Sequence, residues 1–143
     1  MMVQVFYIPT ESAPHAWLTL GGFVNKAARR YKRDYDLDDI RDAIFDGDAA
    51  LFGVLVGDEP VAAIVTSETI YPKRKVMEVE LVGGSRIGEW WEQAMTQLIA
   101  VAKEMGYNAV TSRARPGWRK MAKSFNFRQA YVAYELELNN GGS

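Results

Sequence analysis

The first apolar run, Val3 to Ile8 ("VQVFYI"), is rich in β-branched and aromatic residues and stops at Pro9, which is the pattern of a strand. The period then changes. Ala13, Ala16, Trp17, Leu20, Val24, Ala27, Ala28 and Tyr31 recur at helical spacing, after Ser12 as a cap and with Pro14 in the first turn. Gly21-Gly22 falls in the middle of this helix, where each glycine costs about 1 kcal/mol relative to alanine, so a kink or break is expected there. A shorter helix follows in "YDLDDIRDAIFDG", with Asp36 as its cap, Asp38 and Asp39 at the positive end of its dipole, and Gly47 as its stop.

"ALFGVLVGDEPVAAIVTSETIYP" holds two β-rich runs joined by Gly57-Asp58-Glu59-Pro60 and predicts an antiparallel hairpin. After a turn at Lys73-Arg74-Lys75, "VMEVEL" sets Met77, Val79 and Leu81 on one face and Glu78 and Glu80 on the other, as a fourth strand. From Ile87 onward, Trp91, Ala94, Met95, Leu98, Ala102 and Met105 form a helical stripe that Gly106 ends. Trp91 fits that stripe better than Trp90, which leaves Trp90 and Trp118 as candidate anchors for a protein contact. "NAVTSRA" reads as a short strand, "GWRKMAKSF" as a short helix and "QAYVAYELEL" as a final strand. The order β-α-α-β-β-β-α-β-α-β predicts an α+β fold, a mixed and mostly antiparallel sheet covered by helices. A single domain over residues 1–138 is expected, with "NNGGS" at 139–143 as a flexible tail.

Composition narrows the chemistry. At 143 residues and 48% hydrophobic content, one core can be buried, and a net charge of -1 gives no global attraction to nucleic acid or an anionic membrane. The absence of Cys excludes disulfides and thiolate chemistry; with His15 as the sole histidine, a zinc site and a serine triad both lack their parts. No metal is expected. Neither a basic leader nor an apolar run of bilayer length is present, so the chain reads as soluble, and no helix-turn-helix or finger pattern suggests sequence-specific nucleic acid binding. Charge is blocky: Lys26, Arg29, Arg30, Lys32 and Arg33 precede an acidic stretch from Asp34 to Asp48, and Arg113, Arg115, Arg119, Lys120, Lys123 and Arg128 cluster near the end. Such blocks suit local pairing or a charged partner.

One stretch combines a strand end with a helix start: "ELVGGSRIGEWWEQAM", Glu80 to Met95. Its glycines suit a tight corner, and the amides of a helix N-terminus also suit a phosphate. This turn, the element order and the closing "KMAKSFNFRQAYVAYELEL" together resemble the GNAT family of acyl-CoA-dependent N-acetyltransferases, over residues 3 to 138. The resemblance implies that acetyl-CoA lies in a gap between the fourth and fifth strands. It implies that the run Val82, Gly83, Gly84, Ser85, Arg86, Ile87 and Gly88 holds the pyrophosphate, and that Glu78 or Glu80 serves as the base for an amine.

The family's phosphate loop reads Gln/Arg-x-x-Gly-x-Gly/Ala. With its last glycine on Gly88, Gly83 takes the first position and Arg86 the middle glycine. The closing motif reads Asn-x-x-Ala-x-x-x-Tyr-x-x-x-Gly-Phe. Aligned on Phe127, it places Asn126 at the glycine, Ala122 at the tyrosine, Trp118 at the alanine and Arg115 at the asparagine. Asn126 tolerates the left-handed conformation a glycine would take, whereas Ala122 has no proton to give a departing thiolate. Tyr107, Tyr131 and Tyr134 are the candidate replacements for that acid.

The chain also resembles small GNAT-like proteins encoded by tailed bacteriophages. Two readings follow. The departures at Gly83, Arg86, Arg115 and Ala122 favour a non-catalytic structural, virion or interaction component, with a protein partner or self-assembly and a cytoplasmic or virion-associated location. The alternative is an active acetyl-CoA-dependent N-acetyltransferase acting on an amine.

Overall fold

Two turns too short to reverse a parallel crossover, at Gly57-Asp58 and Pro72-Lys73, force three consecutive strands into antiparallel hairpins. These are β2 (Ala50–Val56), β3 (Glu59–Tyr71) and β4 (Arg74–Gly84). The computed structural model describes residues 2–29, 34–113 and 124–138. β1 (Val3–Ile8) pairs antiparallel with β2, after a long connection through helices α1 (Ala13–Ala28) and α2 (Leu37–Phe45). Helix α3 (Ile87–Glu104) carries the chain back along the sheet, so β5 (Ala109–Ser112) joins β4 in parallel. The spatial order is β1-β2-β3-β4-β5. This is the mixed, mostly antiparallel α+β sheet expected from the hydrophobic pattern.

α1 is entered through a 3₁₀ turn, Thr10–Ser12; Ser12 holds the cap position, but its side chain makes no cap bond. The helix is continuous across Gly21-Gly22. A Cβ on Gly21 would stand 2.9 Å from the indole of Trp17, and Trp17 packs edge-to-face on Phe45 of α2 at 5.9 Å. The glycine therefore makes room for an interhelical aromatic pair and does not break the helix. α2 starts with a reciprocal capping box, Asp36 and Asp39 each accepting the other's backbone N–H at 2.9 Å, and the chain leaves it through Gly47 at φ +83.

One core layer joins Leu20, Val24, Ala27 and Ala28 of α1 and Ile40 and Ile44 of α2 to Ile8, Leu51, Ala63, Val65 and Leu81 of the sheet. Ala62 and Ile64 alternate with these positions and are equally buried, so the opposite face is covered too. α3 supplies the cover through Trp90, Ala94, Met95, Leu98 and Ala102. The stripe thus begins at Trp90, and the expectation that Trp91 is the core residue is corrected. Trp90, Ala94, Leu98 and Ala102 follow strict i, i+4 spacing, and the Trp90 indole donates to the Ser85 carbonyl at 2.7 Å, which satisfies its buried N–H. Met105 is 44% exposed and lies off the stripe.

α3 also closes the open edge of β1. The Gln97 side-chain oxygen accepts from the Val5 N–H at 2.7 Å while its amide nitrogen donates to the Val3 carbonyl at 2.7 Å. Both groups belong to the strand's outer edge, since Met2, two residues from Gln4, turns its carbonyl to Gly57 beyond β2.

The described residues divide into two units after Arg113. In the second, Ser124–Asn126 form a turn with Asn126 at φ +63, the left-handed tolerance read from the sequence. The final strand expected at Gln129 to Leu138 is not formed. Its side chains stay exposed, with Tyr134 at 93% and Leu136 and Leu138 at 82%. Most of the expected helix at 117–125, the tail at 139–143, and Arg30, Tyr31, Lys32, Arg33, Arg115, Trp118 and Ala122 lie outside the described residues.

The glycines of the "GGSRIG" run differ in what surrounds them. A Cβ on Gly83 would overlap the Phe23 carbonyl of α1, whereas one on Gly88 would meet nothing within 4 Å. Urea denaturation should show Gly83→Ala losing about 1–3 kcal/mol through overpacking, and Gly88→Ala unchanged or gaining up to about 1 kcal/mol from helix propensity.

Candidate functional site

β4 and β5 are paired only from Val76↔Ala109 to Val79↔Ser112. Pairing thus runs along the whole of β5, and beyond Val79 β4 continues to Gly84 on β3. The Val76–Ala109 end of the ladder is locked by Lys75 and Asn108. Each backbone N–H there is taken by the other residue, at 2.8 and 2.7 Å, and the Lys75 ammonium donates to the Met105 carbonyl while lying over the Tyr107 ring.

A β-bulge sits at the end of the β4–β5 ladder. Val65 faces Leu81 and Thr66 faces Val79, which leaves Glu80 as the extra residue. The simple alternation read from "VMEVEL" is therefore interrupted: Leu81 packs in the α1 core, and Glu80 is turned to the side of Glu78. Ser67 confirms the geometry. It is the register partner of Glu78, and its hydroxyl donates to Glu80 Oε1 at 2.6 Å.

Asp34 and Tyr35, in the segment before α2, and Arg113, just after β5, complete a cavity of about 90 Å³ with Glu78, Val79 and Glu80. The Glu78 side chain is only 14% exposed, and Arg113 Nε lies 3.6 Å from its Oε1. Desolvation pushes the Glu78 carboxyl above its ordinary value; a hydrogen bond to Glu80 and the charge of Glu80 add to the rise, and Arg113 opposes it. A carboxyl raised in this way exchanges a proton closer to neutrality than a solvated one. Glu78 and Glu80 both line this cavity, and Glu78 is not on a freely solvated face.

The residues expected to hold pyrophosphate fall into two groups. Val82, Gly83 and Gly84 are strand residues paired with Ile64, Ala63 and Ala62, and Gly83 and Gly84 are glycines because Phe23 and Val61 leave no room for a Cβ. Ser85, Arg86, Ile87 and Gly88 are exposed and form the corner. Arg86 takes φ +56, so the position the motif gives to its middle glycine keeps a left-handed backbone with an arginine in place. Its guanidinium is held by Glu59 and Glu89, each at 3.1 Å.

Tyr107 is far from this corner, on the joined end of β4 and β5. Burial and a 2.8 Å hydrogen bond to Glu68 push its hydroxyl up to about 12, which makes it a poorer acid than an ordinary tyrosine. Tyr131 and Tyr134 belong to the second unit and are exposed. The sequence reading missed Asp34 and Tyr35 in the cavity and the bond from Ser67 to Glu80, because these residues meet the pair only in space.

No protein-family model matches the sequence, and neither does any curated protein. Solved structures do. A possible acetyltransferase from Clostridium difficile 630 superposes with a TM-score of 0.70 at 12% identity, over 98% of this chain and 100% of that one. A ribosomal-protein-alanine N-acetyltransferase from Brucella melitensis biovar Abortus 2308 gives 0.68 at 14%, over 96% and 100%. The fold is the GNAT fold. An integron cassette protein from the mobile metagenome of V. cholerae gives 0.67 at 16% identity, over 99% and 95%. At these identities the likeness concerns the GNAT architecture, and the chemistry has to be argued from the residues.

Because the folded state holds the Glu78 proton more tightly than the unfolded chain does, the stability this adds is complete below about pH 4.5 and is lost as pH rises through the folded-state value. Glu78→Gln keeps that position uncharged at every pH. Melting curves from pH 4 to 8 should therefore show wild type falling relative to Glu78→Gln as pH increases; parallel curves would mean that Glu78 titrates as a solvated residue.

Proposed function

We propose that the chain binds an acyl-CoA between β4 and β5 and transfers the acyl group to an amine, with Glu78 as the base. The observation that carries this reading is the half-buried Glu78–Glu80 pair in a cavity at the end of the β4–β5 ladder. When bound, acyl-CoA supplies a thioester carbonyl that is open to attack by an amine. For that attack an ammonium must first lose a proton, and Glu78, whose proton affinity is raised above that of an ordinary carboxyl, is the described carboxyl suited to take it. Asp34 and Glu80 add negative charge beside it, which favours a cationic acceptor.

The corner fits a pyrophosphate. α3 has no side-chain cap, so amides of its first turn are left for an external acceptor, and the space beside Gly88 is open. The backbone amides of Ile87 and Gly88 would hold the anion, with the Lys26 ammonium close by at 3.2 Å from the Gly84 carbonyl. Glu59 and Glu89 work against it by supplying negative charge to the same corner. Tyr35 is the tyrosine that lines the cavity and stands nearest in role to the acid that Ala122 cannot be.

The competing reading, a non-catalytic interaction or virion component, rests on the sequence departures at Gly83, Arg86, Arg115 and Ala122. A thermal-shift titration with acetyl-CoA separates the two, since ligand at 100 times its dissociation constant stabilises the folded state by about 2.7 kcal/mol. We expect a rise in Tm with wild type and with Glu78→Gln, together with a loss of about 10²–10⁴-fold in amine acetylation by Glu78→Gln. No rise in Tm at millimolar acetyl-CoA removes the transferase reading.

A further inference from the structure

We propose that Ser67 is a positioning residue that decides which carboxyl of the Glu78–Glu80 pair keeps their shared proton, leaving it on Glu78. The inference deepens the reading above, and rests on it for its catalytic meaning, but its structural content stands on the β3–β4 contact alone. Two carboxyl groups on one side of a strand cannot both be charged cheaply in a half-buried site, so over some range of pH they hold one proton between them. Chemically they are identical. Only their surroundings can tell them apart.

The Ser67 hydroxyl supplies the difference. It donates to Glu80 Oε1 at 2.6 Å, the length of a strong bond to a charged oxygen, and it stabilises Glu80 as the carboxylate. Glu80 then has two donors, the serine hydroxyl and the protonated carboxyl of Glu78. On Glu78 the one opposing influence among the cavity residues is Arg113, whose Nε is 3.6 Å away on a side chain that is 79% exposed and therefore screened by solvent. Asp34 and Tyr35 face the pair from the segment before α2. With Glu80 fixed as the anion, Glu78 becomes the group whose proton affinity lies higher, which is the property a base for an ammonium needs.

The bulge makes this assignment specific to Ser67. Register puts Ser67 opposite Glu78, so in a regular ladder the hydroxyl would meet that residue; the extra residue in β4 presents Glu80 to it instead. The hydroxyl thus stabilises charge on the neighbour of its own register partner. Ser67→Thr keeps the hydroxyl on a residue suited to a strand, and Ser67→Ala removes it with little change in volume.

The test is a carboxyl-carbon NMR titration of ¹³C-glutamate-labelled full-length protein, as wild type, Ser67→Ala, Ser67→Thr, Glu80→Gln and the Ser67→Ala/Glu80→Gln double variant. Wild type should show Glu78 titrating above Glu80. Ser67→Ala should bring the two midpoints together or reverse them, by lowering Glu78 and raising Glu80, while Ser67→Thr restores the wild-type order. In the Glu80→Gln background, removal of the serine should leave Glu78 unmoved, because the effect passes through Glu80. Unchanged midpoints in Ser67→Ala, no rescue by threonine, or an equal shift of Glu78 with Glu80 already replaced would each overturn the proposal. The titration needs no ligand, so a protein that fails to bind acetyl-CoA loses the transferase reading and still decides the role of Ser67. If transfer is observed, the acidic limb of the kcat/KM profile should move in Ser67→Ala in the same direction as the Glu78 midpoint.

Discussion

At Gly83 the backbone of α1 comes so close to β4 that no side chain fits between them, the Phe23 carbonyl occupying the place of a Cβ. This contact fixes how low the helix rides on the sheet. Val24, Ala27 and Ala28 can then reach Ala63, Val65 and Leu81, and the α1–α2 pair closes over one face through Trp17 and Phe45. Asp34 and Tyr35, in the segment before α2, line the cavity with Glu78 and Glu80.

The β4–β5 ladder is tied by side-chain contacts at one end. Lys75, Asn108 and Tyr107 tie that end through backbone, amide and ring contacts, and the ladder stops at Val79 and Ser112. A regular strand would also have put the two acidic side chains on one side, but the bulge at the end of the ladder presents Glu80, in place of the register partner Glu78, to the Ser67 hydroxyl. The irregularity, more than the composition of the strand, gives the two carboxyls different environments.

Most of the fold could be read from the sequence because hydrophobic period, caps and turns agree with one another: the Asp36 box, Gly47, the Gly57-Asp58 turn and the β2–β4 meander all follow from local chemistry. The failures have local causes as well. Choosing Trp91 over Trp90 came from counting back along a stripe without asking which indole N–H could find an acceptor; only the structure shows that Ser85 offers one. The Gly21-Gly22 pair looked like a weakness because propensity does not include Trp17. Glu78 and Glu80 were legible as a pair, but a bulge has no signature in "VMEVEL", and Ser67, Asp34 and Tyr35 are near the pair only in space. At the corner, the motif has Arg86 where glycine belongs, and yet the backbone there remains left-handed. The shape of the turn persisted under a substitution that pattern matching counts as a mismatch.

Gln97 has a consequence of another kind. Its primary amide offers one acceptor and one donor to β1, spaced as a peptide unit would offer them, so the outermost ribbon meets the ghost of a neighbour contributed by its own polypeptide. Lateral growth of the sheet from that side would have to evict this impostor before a foreign backbone could zip on. The molecule thereby carries its own stopper against templated stacking, and does so with a neutral side chain in place of the lysines or prolines that commonly guard such borders.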